Sequence, residues 1–162
     1  MKTEKELYEL IKNKLEEKFR AKFNNCYLEI TSNGIFGEDI KGKVSDYYDI
    51  IFSFLKKKNS PDITGFIKME YSTEFVTVEV KNDVITLEDI YQAKRYADLF
   101  RAKYGFLIST KPIPTEIKRL CQKILILSIA GTAYATLKLG EFDAEKNEIL
   151  EDRWFPDSPY KS

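Results

Sequence analysis

The chain has 162 residues, 43% apolar, 14% aromatic and 32% charged, with 7 Gly and 5 Pro; this excludes disordered and collagen-like chains and suits one domain with a sizeable core. Its 26 basic and 26 acidic side chains cancel, so net charge predicts no global attraction to nucleic acid. There is no histidine, and Cys26 and Cys121 share no CxxC spacing, which excludes Ser-His-Asp triads, Cys-His dyads and HExxH zinc sites and leaves carboxylates, lysines and oxygen-bound cations as the available chemistry.

The opening residues, MKTEKELYEL, are charged where a secretory signal is apolar, and the greasy run at 124–130 falls far short of the roughly 20 residues of a membrane span. The expectation is a soluble, cytoplasmic protein with no membrane partner. Residues 3–19 place Leu7, Leu10, Ile11, Leu15 and Phe19 at helical spacing behind a Thr3/Glu6 capping box. A short strand at 26–30 follows, then a glycine-rich stretch at 32–42 with room for one short helix. Aromatic and β-branched residues at 47–55 favour a strand, with a helix capped by Ser45 as the alternative.

Residues 61–69 and 74–81 read as a hairpin. Thr86 and Asp89 form a second capping box, opening a helix with the stripe Ile90, Ala93, Ala97, Phe100 and Tyr104 and a C-cap at Gly105. A buried strand at 104–110, a short helix from Thr115 to Gln122, a strand at 124–131 and a hairpin within 133–155 complete the chain. No linker divides it, so a single domain is expected, with a core over about 3–130 and a C-terminal extension over about 131–162. The order of elements predicts an α/β fold with a mixed sheet. Cys26 and Cys121 are expected to be small buried hydrophobes.

Charge is uneven along the chain. Residues 92–123 hold eight bases against two acids, net +6, whereas residues 141–162 hold seven acids against three bases, net −4. In residues 74–81 the strand period puts Val76, Val78 and Val80 on one face and Phe75, Thr77, Glu79 and Lys81 on the other. A hairpin turning near residues 70–72 sets residue 62 opposite a position between 78 and 82, bringing Asp62 beside Glu79 or Lys81. Two carboxylates about 4 Å apart repel by roughly 4 kcal/mol at an effective dielectric of about 20. Lys81 supplies one compensating charge, and an oxygen-seeking cation such as Mg²⁺ or Mn²⁺ would supply the rest.

Pro61-Asp62, then Glu79-Val80-Lys81 behind the run FVTV, then Gln92 and Tyr96 in a QxxxY pattern on the next helix, together resemble the PD-(D/E)XK nuclease superfamily. The order αβββαβ is similar to RecB-like nucleases and archaeal Holliday junction resolvases, and the resemblance covers roughly residues 3–110. It implies a restriction-endonuclease-like core, a central mixed sheet flanked by helices, that hydrolyses DNA phosphodiester bonds with Mg²⁺ or Mn²⁺. By that resemblance Asp62, Glu79 and the Val80 backbone carbonyl would hold the metal, with Glu9 or Glu6 of the first helix completing the site. Lys81 would position or activate water, and Gln92 would lie near that water. Tyr96, Lys94 and Arg95 would meet the nucleic acid. Many nucleases of this fold pair to cut both strands, which leaves room for a homodimer built on the tail with Trp154 and Phe155. The alternative is a non-catalytic module of the same fold that binds nucleic acid or protein. A third reading, a protein with no nucleic-acid partner, draws on the zero net charge.

Overall fold

Helix α1 (Glu4–Phe23) opens with the expected capping box: the Thr3 hydroxyl accepts from the Glu6 amide at 3.2 Å, and the Glu6 carboxylate accepts from the Thr3 amide at 3.4 Å. It closes on Asn24 in the left-handed region, φ 66°. Leu7, Ile11, Leu15 and Phe19, four residues apart, form its fully buried stripe. The computed structural model describes residues 2–131 and 135–160. Within them lie β1 (Tyr27–Ile30), α2 (Glu38–Lys41), β2 (Ile63–Lys68), β3 (Thr73–Lys81), α3 (Leu87–Phe100), β4 (Tyr104–Ser109), α4 (Thr115–Lys123), β5 (Lys138–Asp143) and β6 (Glu148–Ile149).

All six strands join one mixed sheet in the order β1-β2-β3-β4-β5-β6. β1, β2 and β3 run antiparallel, β3, β4 and β5 run parallel, and β6 returns antiparallel to β5. Residues 138–149 thus carry the same sheet onward beyond β4. Gly65 lets β1 lie close to β2, since a Cβ there would stand 1.9 Å from the Tyr27 carbonyl oxygen. β3 alternates as its sequence requires: Val76, Val78 and Val80 join the core beneath α1, and Phe75 packs into the core beneath α3. The fold is α/β with helices on both faces of the sheet.

The second capping box is also present, with the Thr86 hydroxyl accepting from the Asp89 amide at 3.2 Å and the Asp89 carboxylate accepting from the Thr86 amide at 2.8 Å. Ile90, Ala93, Ala97 and Phe100 are buried as the stripe requires. The end of α3 differs from expectation: Arg101, at φ 51°, is the C-cap, and Tyr104 and Gly105 belong to β4. Gly105 serves packing instead, because a Cβ there would approach the Ala97 Cβ to 2.9 Å.

Two expected strands are absent. Residues 47–55 turn through a 3-10 helix (Asp49–Ser53), with Tyr48, Ile51 and Phe54 amides bonding to carbonyls three residues back. The inward side chains Tyr48, Ile51, Phe52 and Leu55 recur at spacings of three to four, so helical period overrode β propensity. Residues 124–131 form an irregular segment with one bridge, Ser128 to Thr136; Leu125 is 89% exposed, and Gly131, at φ 78°, turns the chain. The expected tail hairpin is found as β5 and β6, with Phe142 opposite Ile149; its expected start falls partly on residues 132–134, outside the described residues. Among the described residues no helix is long and apolar enough to cross a membrane.

Candidate functional site

The β2–β3 register places Ile63 opposite Val78, so the next cross-strand position pairs Asp62 with Glu79. The two residues clasp each other through the backbone. The Asp62 amide donates to Glu79 Oε1 at 3.1 Å, and the Val80 amide donates to Asp62 Oδ2 at 2.8 Å. The base of Asp62 is fixed from β1, since the Thr31 amide donates to its carbonyl at 2.9 Å and the Thr31 hydroxyl to the Pro61 carbonyl at 2.7 Å. Pro61 thus ends an anchored approach to the strand rather than a free turn.

Neither carboxylate of this pair takes part in an ion pair among the described residues. Burial pushes the Asp62 carboxyl up to about 6, against the pull of the Val80 amide and the Tyr8 hydroxyl, with the Glu4 charge adding to the rise. Burial first, then the charge of Asp62, holds the Glu79 carboxyl well above its ordinary value. The pair therefore favours holding a proton or a cation over standing doubly ionised.

Lys81, two residues along the same strand face, is paired at 3.3 Å with Asp89, the capping acid of α3. Its carbonyl accepts the Thr110 amide at 3.1 Å, which ties the strand end to the loop after β4. Gln92 is half-buried one turn further on, with its amide nitrogen 3.5 Å from the Tyr96 hydroxyl. Tyr96 is 1% exposed, its ring part of the core beneath α3. Burial raises its hydroxyl, with the Glu79 and Asp62 charges contributing, so the phenol lies in the field of the carboxylate pair but presents no surface to a polymer. Lys94 pairs with Asp98 at 3.1 Å and donates to the Ser128 carbonyl, while Asp98 accepts the Ala130 amide at 2.7 Å. Those two residues hold the irregular segment 124–131 in place. Arg95 is exposed.

Three participants were not expected at the site from the sequence, although one of them, Asp89, was read as a helix cap. Glu4 and Tyr8 of α1 reach the strand ends from the opposite layer: the Tyr8 hydroxyl donates to Glu4 Oε2 at 3.3 Å, and Glu4 acts electrostatically on both Asp62 and Glu79. Asp89 is the third, engaged in both the cap and the Lys81 pair. Glu6 is occupied by the Thr3 capping box, and Glu9 is exposed. A helical spacing of four from Glu4 to Tyr8 was the available signal, but it points at the sheet only once the helix crossing is known.

Beyond Lys81 a cleft of about 930 Å³ opens at the carboxyl ends of β3, β4 and β5, lined among others by Lys2, Glu6, Asn82, Lys111, Glu141 and Arg153. Crevices outside the carboxyl ends of parallel strands are where open α/β sheets accommodate ligands. Glu141 at its wall is 5% exposed, accepting from the Ile113 amide at 3.2 Å and facing Arg153 at 3.5 Å.

As a metal centre, the donor set is two carboxylates, each already accepting one backbone amide and each with further lone pairs. Among the described residues no group of three or more His, Cys, Asp or Glu is placed to hold a metal. Two carboxylates are a donor set of the kind that Mg²⁺ takes from a protein when water and substrate phosphate complete its shell. No family model, curated protein or solved structure matches the chain.

Proposed function

We propose that the protein is a divalent-cation-dependent nuclease that hydrolyses DNA phosphodiester bonds at a PD-(D/E)XK site on a restriction-endonuclease-like core. One observation carries the reading: Asp62 and Glu79 are clasped across neighbouring strands in a half-buried site with no basic side chain at ion-pair distance among the described residues, and Lys81 is on the same strand face. The order α1, β1, β2, β3, α3, β4 agrees with the αβββαβ core of that superfamily.

In this reading Asp62, Glu79 and the Val80 carbonyl hold Mg²⁺ or Mn²⁺, which supplies activation of water and neutralisation of phosphate charge when bound. The chain's own residues do the rest. The backbone clasp keeps the two carboxylates in register, and the low-dielectric setting strengthens their attraction for a cation. The Lys81 ammonium, shared with Asp89, is positioned to exchange that partner for a phosphate oxygen. Gln92, set by Tyr96 beneath it, offers an amide to the water or phosphate. The cleft from Asn82 to Lys111 and Arg153 gives the polymer a wall of mixed charge, in which Lys2, Lys111 and Arg153 are the groups that could meet phosphates.

The test is incubation with supercoiled, single-stranded and branched DNA, with and without Mg²⁺ or Mn²⁺, beside Asp62→Asn and Lys81→Ala. Metal-dependent cutting lost in both variants supports the enzyme. A second reading, a non-catalytic module of the same fold, draws on the Lys81–Asp89 pair and on the lack of a third acid among the described residues. It predicts DNA binding without cutting, indifferent to both changes.

A further inference from the structure

The segment 47–55, built around the 3-10 helix Asp49–Ser53, divides its aromatic residues between two environments. Tyr48 and Phe52 pack inward, the Tyr48 hydroxyl donating to the Leu99 carbonyl, whereas Tyr47 is 77% and Phe54 69% exposed, with Ile50 between them. Tyr71 and Leu125 are as exposed but stand elsewhere in the chain, whereas Tyr47, Ile50 and Phe54 gather three exposed apolar side chains within eight residues, and clustered apolar exposure marks interaction sites.

Basic side chains stand at both ends of this ridge. After Phe54 come Lys56, Lys57 and Lys58, all exposed and none in an ion pair among the described residues. Their turn is rigid: the Asn59 amide bonds to the Lys56 carbonyl at 2.8 Å, and the Ser60 hydroxyl bonds to the Thr31 and Lys56 carbonyls at 2.9 and 3.1 Å. Thr31 is the residue that holds Pro61 and Asp62, so this lysine turn adjoins the carboxylate pair. At the other end Lys43 lies over the Phe66 ring, 5.5 Å from its centroid, and the adjacent Lys68 ammonium holds the Lys43 pKa down. Two ammoniums so placed suit an anion between them. Asp46 and Asp49 are the acids of the ridge and the Asp39 charge acts on Lys43; together they are outnumbered by the lysines at its ends.

We propose that residues 43–58 are a landing surface for single-stranded DNA, with bases stacking on Tyr47 and Phe54 and phosphates meeting Lys56–Lys58 at one end and Lys43 and Lys68 at the other. Tyr47 and Phe54 lie seven residues apart, on either side of the 3-10 helix Asp49–Ser53. Exposed aromatic faces flanked by lysines take up unpaired bases without regard to sequence, whereas a duplex hides its base faces. The surface would deliver a single-stranded segment to the Asp62 end of the sheet, so its use in cleavage rests on the nuclease reading. Its use in binding does not.

Binding is measured by fluorescence anisotropy of a labelled oligothymidylate and of a blunt duplex of the same length, with the full chain in chelator so that nothing is cut. Tyr47→Ala with Phe54→Ala should weaken single-strand binding by at least about tenfold with little change in salt dependence. Lys56→Gln with Lys57→Gln should flatten the salt slope by about 1.4. Tyr47→Trp with Phe54→Trp should retain binding, and since both rings are exposed, all these variants should melt like the parent. The inference is overturned if the alanine pair binds as the parent does, if duplex binds as tightly as single strand, or if the ridge takes up anionic vesicles and the aromatic changes leave oligonucleotide affinity alone. Metal-dependent cutting, scored separately, distinguishes the two proposals: aromatic-dependent binding without cutting leaves this surface standing and removes the nuclease, and cutting without aromatic dependence does the reverse.

Discussion

Two acidic sites in this molecule, one buried and one half-buried, have opposite surroundings. Glu16, 8% exposed on α1, is neutralised within its own helix by Lys12 at 2.9 Å and Arg20 at 3.1 Å, each four residues away, and it accepts the Leu28 amide of β1 at 3.3 Å. Asp62 and Glu79 have backbone amides but, among the described residues, no basic partner at ion-pair distance. The first arrangement is self-sufficient and ties a helix to a strand. The second is left electrically incomplete, which disfavours it as a structural device and suits it to a cation from solution.

Substitution should separate the two positions most sharply. Asp62→Asn or Glu79→Gln should abolish metal-dependent cutting, by at least about 10³-fold, while raising the melting temperature at neutral pH in chelator, because a charge that burial disfavours is removed. Glu16→Gln should leave cutting within about twofold yet cost about 1–2 kcal/mol, a fall in Tm of about 2–8 °C for a chain of this size. Calorimetry beside a cleavage assay decides it. If Asp62→Asn destabilises as Glu16→Gln does, the contrast is lost.

The pH dependence of stability is the next largest effect. Asp62 rises from 3.8 to about 6 in the folded chain and Glu79 rises well above 4.5, so the folded state binds more protons than the unfolded state above the ordinary carboxylate range. Stability should therefore be greatest below that range and fall as pH rises through about 6 and beyond, with a single group shifted this far contributing up to about 3 kcal/mol. In chelator Tm should drop between pH 5 and pH 8 by several degrees, and Mg²⁺ or Mn²⁺ should restore it at the upper end. A flat profile that is insensitive to the metal would mean that the pair is already satisfied inside the protein.

Lys81→Ala should lower the cleavage rate by about 10²–10⁴-fold while changing stability by less than about 1 kcal/mol, since its pair with Asp89 is partly exposed. Cleavage kinetics and denaturant titration measure the two effects independently. An equal loss in both would assign Lys81 to structure.

Local chemistry made much of this arrangement legible in advance. Both capping boxes, the alternation of β3 and the hairpin follow from spacings within one or two turns of chain, and a hairpin turn near residues 70–72 brought residue 62 to a window that includes 79. What was hidden depends on how layers cross. Tyr96 sits one helical position beside the visible stripe, and only the packing of Phe36, Phe52 and Phe75 around Phe100 shows how wide the buried face of α3 is. Lys94 read as a surface cation because its partner, the Ser128 carbonyl, lies 34 residues away. Residues 47–55 and 124–131 are rich in β-branched and aromatic side chains, yet their apolar spacing lacks the strict alternation of a half-buried strand.

The first-helix acid carries the smallest expected effect and discriminates most finely. Glu6 lines the cleft but its carboxylate is engaged with the Thr3 amide, and Glu9 is exposed, whereas the charge of Glu4 bears on both members of the carboxylate pair. Glu4→Gln should therefore weaken the metal concentration dependence of cutting by a fewfold and move the fall in stability toward lower pH, because one of the charges raising Asp62 is gone. Glu6→Gln should do neither, and cost only a few tenths of a kcal/mol from the weakened cap. Metal titrations of the two variants side by side decide it: a larger effect at Glu6 would show that the acid on the cleft side of α1, rather than the one beside Tyr8, faces the cation.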